Sequence, residues 1–180
     1  MAVAGIFVVI ELEGALAERI HAQQLAFDPK MARHLPPHIT LIGSSGAGPI
    51  RADTPIETLR AHLLPIAAAT PRITLRFGPP ERFVQREIVS LPLDPHGPLR
   101  TLHERIATSG LACAQARYPF TPHCTLTMYP TLTAQRLAAA MAVREPEPFT
   151  VSRLRVYLTR EPQPARHLFD APLGALPEVA

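Results

Sequence analysis

Two copies of one pentapeptide carry the residues of this 180-residue chain best suited to chemistry: Pro37-His38-Ile39-Thr40-Leu41 and Pro122-His123-Cys124-Thr125-Leu126. Each reads Pro-His-x-Thr-Leu. Multiplying the residue frequencies of the chain gives an expected count of about 0.01 for such a pentapeptide, so a chance repeat is a poor explanation. Imidazole is the side chain most readily poised near neutral pH. A neutral histidine can take a proton from water or a ribose hydroxyl, and a protonated one can hand a proton to a leaving oxygen. Threonine hydroxyls can donate to non-bridging phosphate oxygens, where charge gathers in the transition state. In a strand, residues i and i+2 share a face. His38 and Thr40 would therefore point one way and Ile39 and Leu41 the other, and likewise His123 and Thr125 against Cys124 and Leu126. If the two strands lie side by side, two imidazoles and two hydroxyls converge on one cleft, a set suited to phosphoester chemistry without a metal, cofactor or covalent intermediate.

Other chemistries have less support. A two-histidine metal site needs a third ligand, and neither motif contains Asp or Glu. Cys113 and Cys124, the only cysteines, form no Cys-x-x-Cys pair, and strand parity makes Cys124 a small core residue rather than a nucleophile. No Gly-x-Ser-x-Gly elbow is present. The stretch Gly43-Ser44-Ser45-Gly46-Ala47-Gly48-Pro49 lacks the spacing and lysine of a Walker loop and reads as a flexible surface loop. His34 is barred from helical pairing with His38 by Pro36-Pro37. His21, His62 and His103 fall on predicted helices and His96 and His167 in or near turns, where each reads as a solvated or capping residue.

The elements that must position the motifs follow from periodicity and punctuation. Residues 5–12 are β-branched and aromatic and read as a buried strand. Residues 15–27 have amphipathic helical spacing, ended by Asp28-Pro29. Pro36-Pro37 forces an extended entry into a motif strand near 38–42. A helix capped by Asp53 or Thr54, with Pro55 at its first position, runs to about Ala69, with Pro65 inside it. A half-buried strand covers 73–77, and one or two more lie within 81–93, centred on 87–91. A helix spans 98–109 and Gly110 ends it. The second motif strand lies near 123–127, and Thr131 or Thr133 caps a helix over 133–143. Residues 149–159 form the longest strand, its alternation slipping near Arg153; a short last strand is expected at 166–169 and a frayed tail after Pro172. The two halves share their element order. The expected fold is α+β: residues 1–180 as a single bilobal domain of two intertwined, pseudo-symmetric strand-helix lobes around a central cleft.

Composition agrees. Hydrophobic residues are 47% and charged residues 18%, with net charge +3 and pI near 9.3. Lys30 is the only lysine, so arginine, which reads planar anions well, carries nearly all the positive charge. No apolar run reaches membrane-spanning length and the N-terminus has no basic, cleavable leader. The expectation is a soluble, cytoplasmic monomer with no membrane partner.

Paired His-x-Thr motifs at this separation, in an α+β chain of this size, resemble the 2H phosphoesterase superfamily, and within it the bacterial 2′-5′ RNA ligase or RNA 2′,3′-cyclic phosphodiesterase group. The likeness runs from about Ile6 to Phe169. It implies a duplicated bilobal fold and metal-independent opening of a cyclic phosphate, or formation or cleavage of a 2′-5′ phosphodiester. By motif, His38 and His123 would be the catalytic acid/base pair, with Thr40 and Thr125 binding the phosphate and no metal or cofactor. The partner would be an RNA end or a nucleotide carrying a cyclic phosphate. Many RNA-acting members have a basic residue just after the second motif; here the stretch is Thr127-Met128-Tyr129-Pro130. Arg33 or Arg117 would then approach from a neighbouring loop, or the substrate differs. Phe120 and Tyr129 flank the second motif and are candidates to stack a base. The expected function is a hydrolase of cyclic phosphodiesters; the alternatives are a non-catalytic nucleotide or RNA-end binding module using the same cleft, and a metal-dependent hydrolase.

Overall fold

Strand β1 (Ala4–Glu11) is the spine of the molecule. The computed structural model describes residues 4–33, 36–83, 88–128, 133–160 and 163–174. Ile6, Val8 and Ile10 of β1 are almost wholly buried, as its β-branched run demands. On one edge β1 pairs antiparallel with β10 (Arg153–Arg160), which pairs with β11 (Gln163–Pro172). On the other it pairs with β2 (His38–Ile42), the first motif strand. There β2 meets β8 (His123–Thr127), the second motif strand, and the sheet continues through β6 (Val89–Pro92) to β5 (Glu81–Arg82). The order β11-β10-β1-β2-β8-β6-β5 puts the motif strands adjacent and at the centre.

Helices cover the face opposite the motif histidines. α1 (Gly14–Phe27) buries Ile20 and Gln24, and α4 (Pro98–Ala107) buries Leu99, Leu102, His103 and Ile106. The packing is exchanged. α1 precedes the first motif in the chain but packs behind β8; α4 precedes the second motif but packs behind β2. α2 (Pro29–Ala32) follows α1, with Asp28 accepting from the Met31 N–H at 3.0 Å. α3 (Ile56–Ala68) packs against β11 and α4, and α5 (Ala134–Met141) against α1. Ile39, Leu41, Cys124 and Leu126, the motif residues assigned to the core by parity, are all 0% exposed.

Several expectations needed correction. The loop expected over 43–49 is shorter, because Ala47–Ile50 is a strand, β3, paired with β1 and with β7 (Cys113–Gln115). Ala-Gly-Pro has little strand propensity. Gly48 is needed because a Cβ there would lie 2.6 Å from the Ala114 carbonyl oxygen of β7, a close backbone approach of the kind that calls for glycine in a strand. Asp53 and Thr54 do not cap α3: Asp53 pairs with Arg51 and Thr54 bonds the Arg51 carbonyl, leaving Pro55 as the cap residue. Thr133, in contrast, caps α5 by accepting from Arg136 N–H at 3.2 Å. The slip at Arg153 marks a change of sheet: β9 (Phe149–Val151) pairs with β4 (Ile73–Leu75) in a separate two-stranded sheet, and β10 starts after Ser152 in the main one. The last strand is ten residues rather than four, so His167 sits within a strand. The tail beyond Gly174 lies outside the described residues, as do His34 and Tyr129.

Candidate active site

Where the motif strands meet, Ile39 stands opposite Cys124 in an antiparallel pair. Counting outward, His38 faces Thr125 and Thr40 faces His123. Directly opposed side chains have Cβ atoms roughly 5 Å apart and diagonal ones roughly 7–8 Å. The two imidazoles thus occupy one diagonal of a square and the two hydroxyls the other. All four residues are half-buried while their neighbours in sequence are fully buried.

Each half of the square is built the same way. The Nδ1–H of His38 donates to the Pro36 carbonyl at 2.9 Å, and the Nδ1–H of His123 donates to the Thr121 carbonyl at 2.7 Å. A carbonyl oxygen only accepts, so Nδ1 holds the proton and Nε2 is the nitrogen free for chemistry. The intervening prolines explain the geometry. Pro37 and Pro122 hold an extended entry that brings the carbonyl two residues back under the ring. Their own carbonyls accept from Leu12 N–H at 2.9 Å and Leu93 N–H at 3.0 Å, just past the ends of β1 and β6.

The flanking strands break the symmetry. Beside His38, β1 places Glu11; beside His123, β6 places Pro92. Beside Thr40 stands Val9 and beside Thr125 stands Ser90. One row across the cleft therefore reads Glu11, His38, Thr125, Ser90, and the next Val9, Thr40, His123, Pro92. Burial lowers the His38 pKa below its ordinary 6.5, opposed by the Pro36 bond and the Glu11 charge. Burial also lowers His123, opposed by the Thr121 bond, while the nearby His38 charge pushes it further down. The Phe83 and His123 rings meet in a T-shaped arrangement with their centroids 5.2 Å apart. His123 thus has apolar neighbours where His38 has a carboxylate.

A polar cluster extends the first row. Glu11 accepts from Arg155 at 2.5 Å and from the Tyr157 hydroxyl. Arg155 also lies 3.7 Å from Asp170; Arg153 pairs with Glu13 at 3.1 Å and Asp170 at 3.5 Å; His167 bonds Asp170 at 2.7 Å. Sequence reading missed Glu11, Ser90, Arg153 and Arg155, because their place beside the motifs depends on strand register. The arginines that register puts on the motif face are Arg153 and Arg155. Arg33 ends α2, and Arg117 lies 5.8 Å from the Tyr118 ring.

Phe120 is corrected. It is 4% exposed, stacked on His103 at 4.0 Å and 9°, so its ring is part of the core and not a platform for a base. His103 is corrected with it. Rather than solvated, it is 5% exposed and bonds the Leu41 carbonyl at 2.7 Å through Nδ1. Gln24 of α1 does the matching work on the other side, donating to the Thr125 carbonyl at 2.7 Å. Asp28 accepts from Met128 N–H at 2.8 Å, anchoring the end of β8. Cys124 faces the core and burial pushes its thiol up to about 12, which removes it as a nucleophile. Among the described residues no group of three or more His, Cys, Asp or Glu is placed to hold a metal ion. No helix among them is long and apolar enough to cross a membrane.

A family model described as the 2′-5′ RNA ligase superfamily matches residues 12–163. No curated protein matches the chain in sequence. Solved structures share its fold. E. coli LigT complexed with 3′-AMP is 21% identical, covering 96% of this chain and 99% of that one, with a TM-score of 0.55. The protein TT0787 of Thermus thermophilus is 16% identical, covering 97% and 98%, with a TM-score of 0.66. A structure described as a phosphoesterase is 22% identical, covering 95% and 99%, with a TM-score of 0.56.

Proposed function

The chain belongs to the 2′-5′ RNA ligase superfamily of 2H phosphoesterases, and from that premise we propose that it is a metal-independent phosphodiesterase opening a 2′,3′-cyclic phosphate at an RNA end or on a nucleotide. The observation that carries this reading is the square at the Ile39–Cys124 crossing, with imidazoles on one diagonal and hydroxyls on the other. A phosphoryl group at its centre has a nitrogen on each of two sides, as in-line displacement requires, and a hydroxyl on each of the others for its non-bridging oxygens. The neighbours divide the labour. His38, beside Glu11, is the acid; His123, beside Pro92 and Phe83, is the base. His123 Nε2 takes a proton from water as its oxygen bonds to phosphorus. The bond from phosphorus to one ribose oxygen breaks, and that oxygen takes the proton from His38 Nε2, leaving a phosphomonoester. The same transfers form or cleave a 2′-5′ phosphodiester. LigT from E. coli has been crystallised with 3′-AMP, NADP+ and ATP, which supports a nucleotide as ligand. On this reading residues 1–180 act as one monomeric unit whose two lobes meet at the cleft.

The test is a panel of 2′,3′-cyclic mononucleotides and cyclic-phosphate-ended RNAs, with the product phosphate located by NMR. His38→Ala and His123→Ala should each lower kcat by at least about 10²-fold with an unchanged urea midpoint, and EDTA should leave the rate unaltered. Full activity in either variant would refute the two-imidazole mechanism. Tight binding of a 2′-phosphonucleotide without hydrolysis of any cyclic ester would instead make the cleft a binding module.

A further inference from the structure

Val9 and Ser90 hold equivalent places on the two sides of the motif square, and only Ser90 is polar. Each stands one strand outside a motif threonine, Val9 beside Thr40 on β1 and Ser90 beside Thr125 on β6. Each is also the diagonal neighbour of a motif histidine, Val9 of His38 and Ser90 of His123, at a Cβ separation of roughly 7–8 Å. Because it pairs with Thr125, Ser90 shares the face that carries the histidines, while Leu91 pairs with Cys124 on the core face. Ser90 is only 1% exposed, and its hydroxyl makes no hydrogen bond with any described residue. Thr127, at the end of β8, shows the contrast: its buried hydroxyl accepts from the Val89 N–H at 3.1 Å. A buried hydroxyl is costly to leave unpaired, and where the protein supplies no partner the usual one is a held water.

His123 is turned to meet such a water. Its Nδ1 bonds the Thr121 carbonyl, back along β8, so Nε2 points the other way, toward the row that holds Thr125 and Ser90. A water between Nε2 and the Ser90 Oγ donates one hydrogen to each and turns a lone pair toward a phosphoryl group on the square. His38 has Val9 at the matching place, and a valine side chain accepts nothing. Water is therefore gripped from two directions only at His123. An alcohol has a single hydroxyl hydrogen, which the imidazole alone takes up.

Resting on the reading of the square as a cyclic phosphodiesterase site, we propose that Ser90 holds the attacking water against His123 and so selects water over a ribose hydroxyl as the nucleophile. The water oxygen bonds to phosphorus as one of its protons passes to His123 Nε2; the other stays on that oxygen, hydrogen-bonded to Ser90 Oγ. The bond from phosphorus to one ribose oxygen breaks, and that oxygen takes the proton of His38 Nε2. With an alcohol in place of water, the same transfers give a phosphodiester and leave Ser90 unused. Ser90 thus tilts the site toward hydrolysis and away from phosphodiester formation.

The experiment follows 2′,3′-cyclic AMP in a water–methanol mixture and measures two products, the phosphomonoester from water and the methyl phosphodiester from methanol. Ser90→Ala should lower kcat for hydrolysis about 10-fold and methanolysis by less than about 2-fold, moving the product ratio about 5-fold or more toward the methyl ester. Ser90→Thr, which keeps the hydroxyl, should return the ratio to the wild-type value. The ratio does not depend on how much of a variant is folded, and the urea midpoint of Ser90→Ala should match wild type, since the hydroxyl bonds no described residue. An unchanged ratio overturns the assignment, whether both rates fall together, as a displaced Thr125 would cause, or neither falls. If the wild-type protein turns over no cyclic ester, the reading of the square fails on its own. A high-resolution crystal structure then decides the role of Ser90: a water bonded to both Ser90 Oγ and His123 Nε2 upholds it, and a Ser90 hydroxyl bonded elsewhere sinks it.

Discussion

Replacing His103 with alanine should cost far more than its reading as a surface histidine would suggest. The ring is 5% exposed, and Nδ1–H donates to the Leu41 carbonyl at 2.7 Å. Its face lies on Phe120 at 4.0 Å. Truncation leaves a buried carbonyl without its donor, worth about 1–3 kcal/mol. It also removes an aromatic stack worth about 0.5–1.5 kcal/mol. A loss of about 3 kcal/mol is a large part of the roughly 5–15 kcal/mol typical of a domain. Asparagine separates the two contributions, because its Nδ2 occupies nearly the position of the histidine Nδ1. His103→Asn should recover about 1–3 kcal/mol of the loss and keep the stacking deficit. Urea unfolding at pH 7.5, followed by far-ultraviolet dichroism, measures both. Leu41 directly follows Thr40, so releasing its carbonyl should also lower kcat at temperatures where the variant remains folded. A His103→Ala variant within about 0.5 kcal/mol of wild type would refute the tether, as would His103→Asn no more stable than His103→Ala.

Three histidines have folded-state pKa values pushed down by burial: His38, His103 and His123, each from an ordinary 6.5. As pH falls past that value the unfolded chain binds protons that the folded chain refuses, so their stability contribution is present above 6.5 and is lost towards the lowered folded values. The urea midpoint should be level between about pH 7.5 and 8 and fall from about pH 6.5 to 5; a flat profile contradicts the burial argument. Thr40→Val and Thr125→Val should each reduce kcat about 10²-fold with serine restoring most of it, and a fully active valine variant would remove the hydroxyls from the mechanism. Glu11→Gln should move the alkaline limb of the kcat/KM profile to lower pH, since the carboxylate raises the His38 pKa, and an unmoved limb would take Glu11 out of the acid's environment. Cys124→Ala should retain kcat within about 2-fold, with wild-type activity resisting iodoacetamide, because burial holds that thiol up to about 12.

The parts of the fold that a reader of the sequence can see are those written in periodicity and punctuation. Parity alone put His38, Thr40, His123 and Thr125 on one face and Ile39, Leu41, Cys124 and Leu126 in the core, because the strand period is two and a buried face tolerates no slip. Thr133 was visible as one of two candidate caps, the other, Thr131, lying outside the described residues. Register was not visible. Nothing in the string Ile10-Glu11-Leu12 says that Glu11 stands beside His38, and nothing in Val89-Ser90-Leu91 brings Ser90 to Thr125. β3 was hidden because Ala47-Gly48-Pro49 has a turn's composition and is a strand only through close approach to β7. His103 carried an unused signal: Leu99, Leu102, His103 and Ile106 fall at the spacing of one helical face. A histidine inside an apolar stripe is buried with a partner, and the partner could not be named without the fold. The break at Ser152 was visible as a slip in alternation, although its meaning, a passage from one sheet to another, was not.

The exchanged helices bear on why the site needs both halves. Gln24 lies before the first motif yet holds the Thr125 carbonyl of the second, and His103 lies before the second yet holds the Leu41 carbonyl of the first. Neither half can set its own motif strand, so a change that loosens one helix disturbs the opposite motif. Within the square the motifs themselves are interchangeable: same prolines, same ring-to-carbonyl bonds, same hydroxyl diagonal. If the motifs alone defined the site, the two histidines would share both roles equally. Only the neighbours differ, Glu11 against Pro92 and Ser90 against Val9. In the proposed mechanism the direction of proton transfer is therefore set by β1 and β6, one strand away from the motifs on either side. On that mechanism the pentapeptide repeat supplies the groups that grip and attack a phosphoryl group. On the proposed mechanism, the unrepeated residues beside it decide which histidine gives the proton and which takes it.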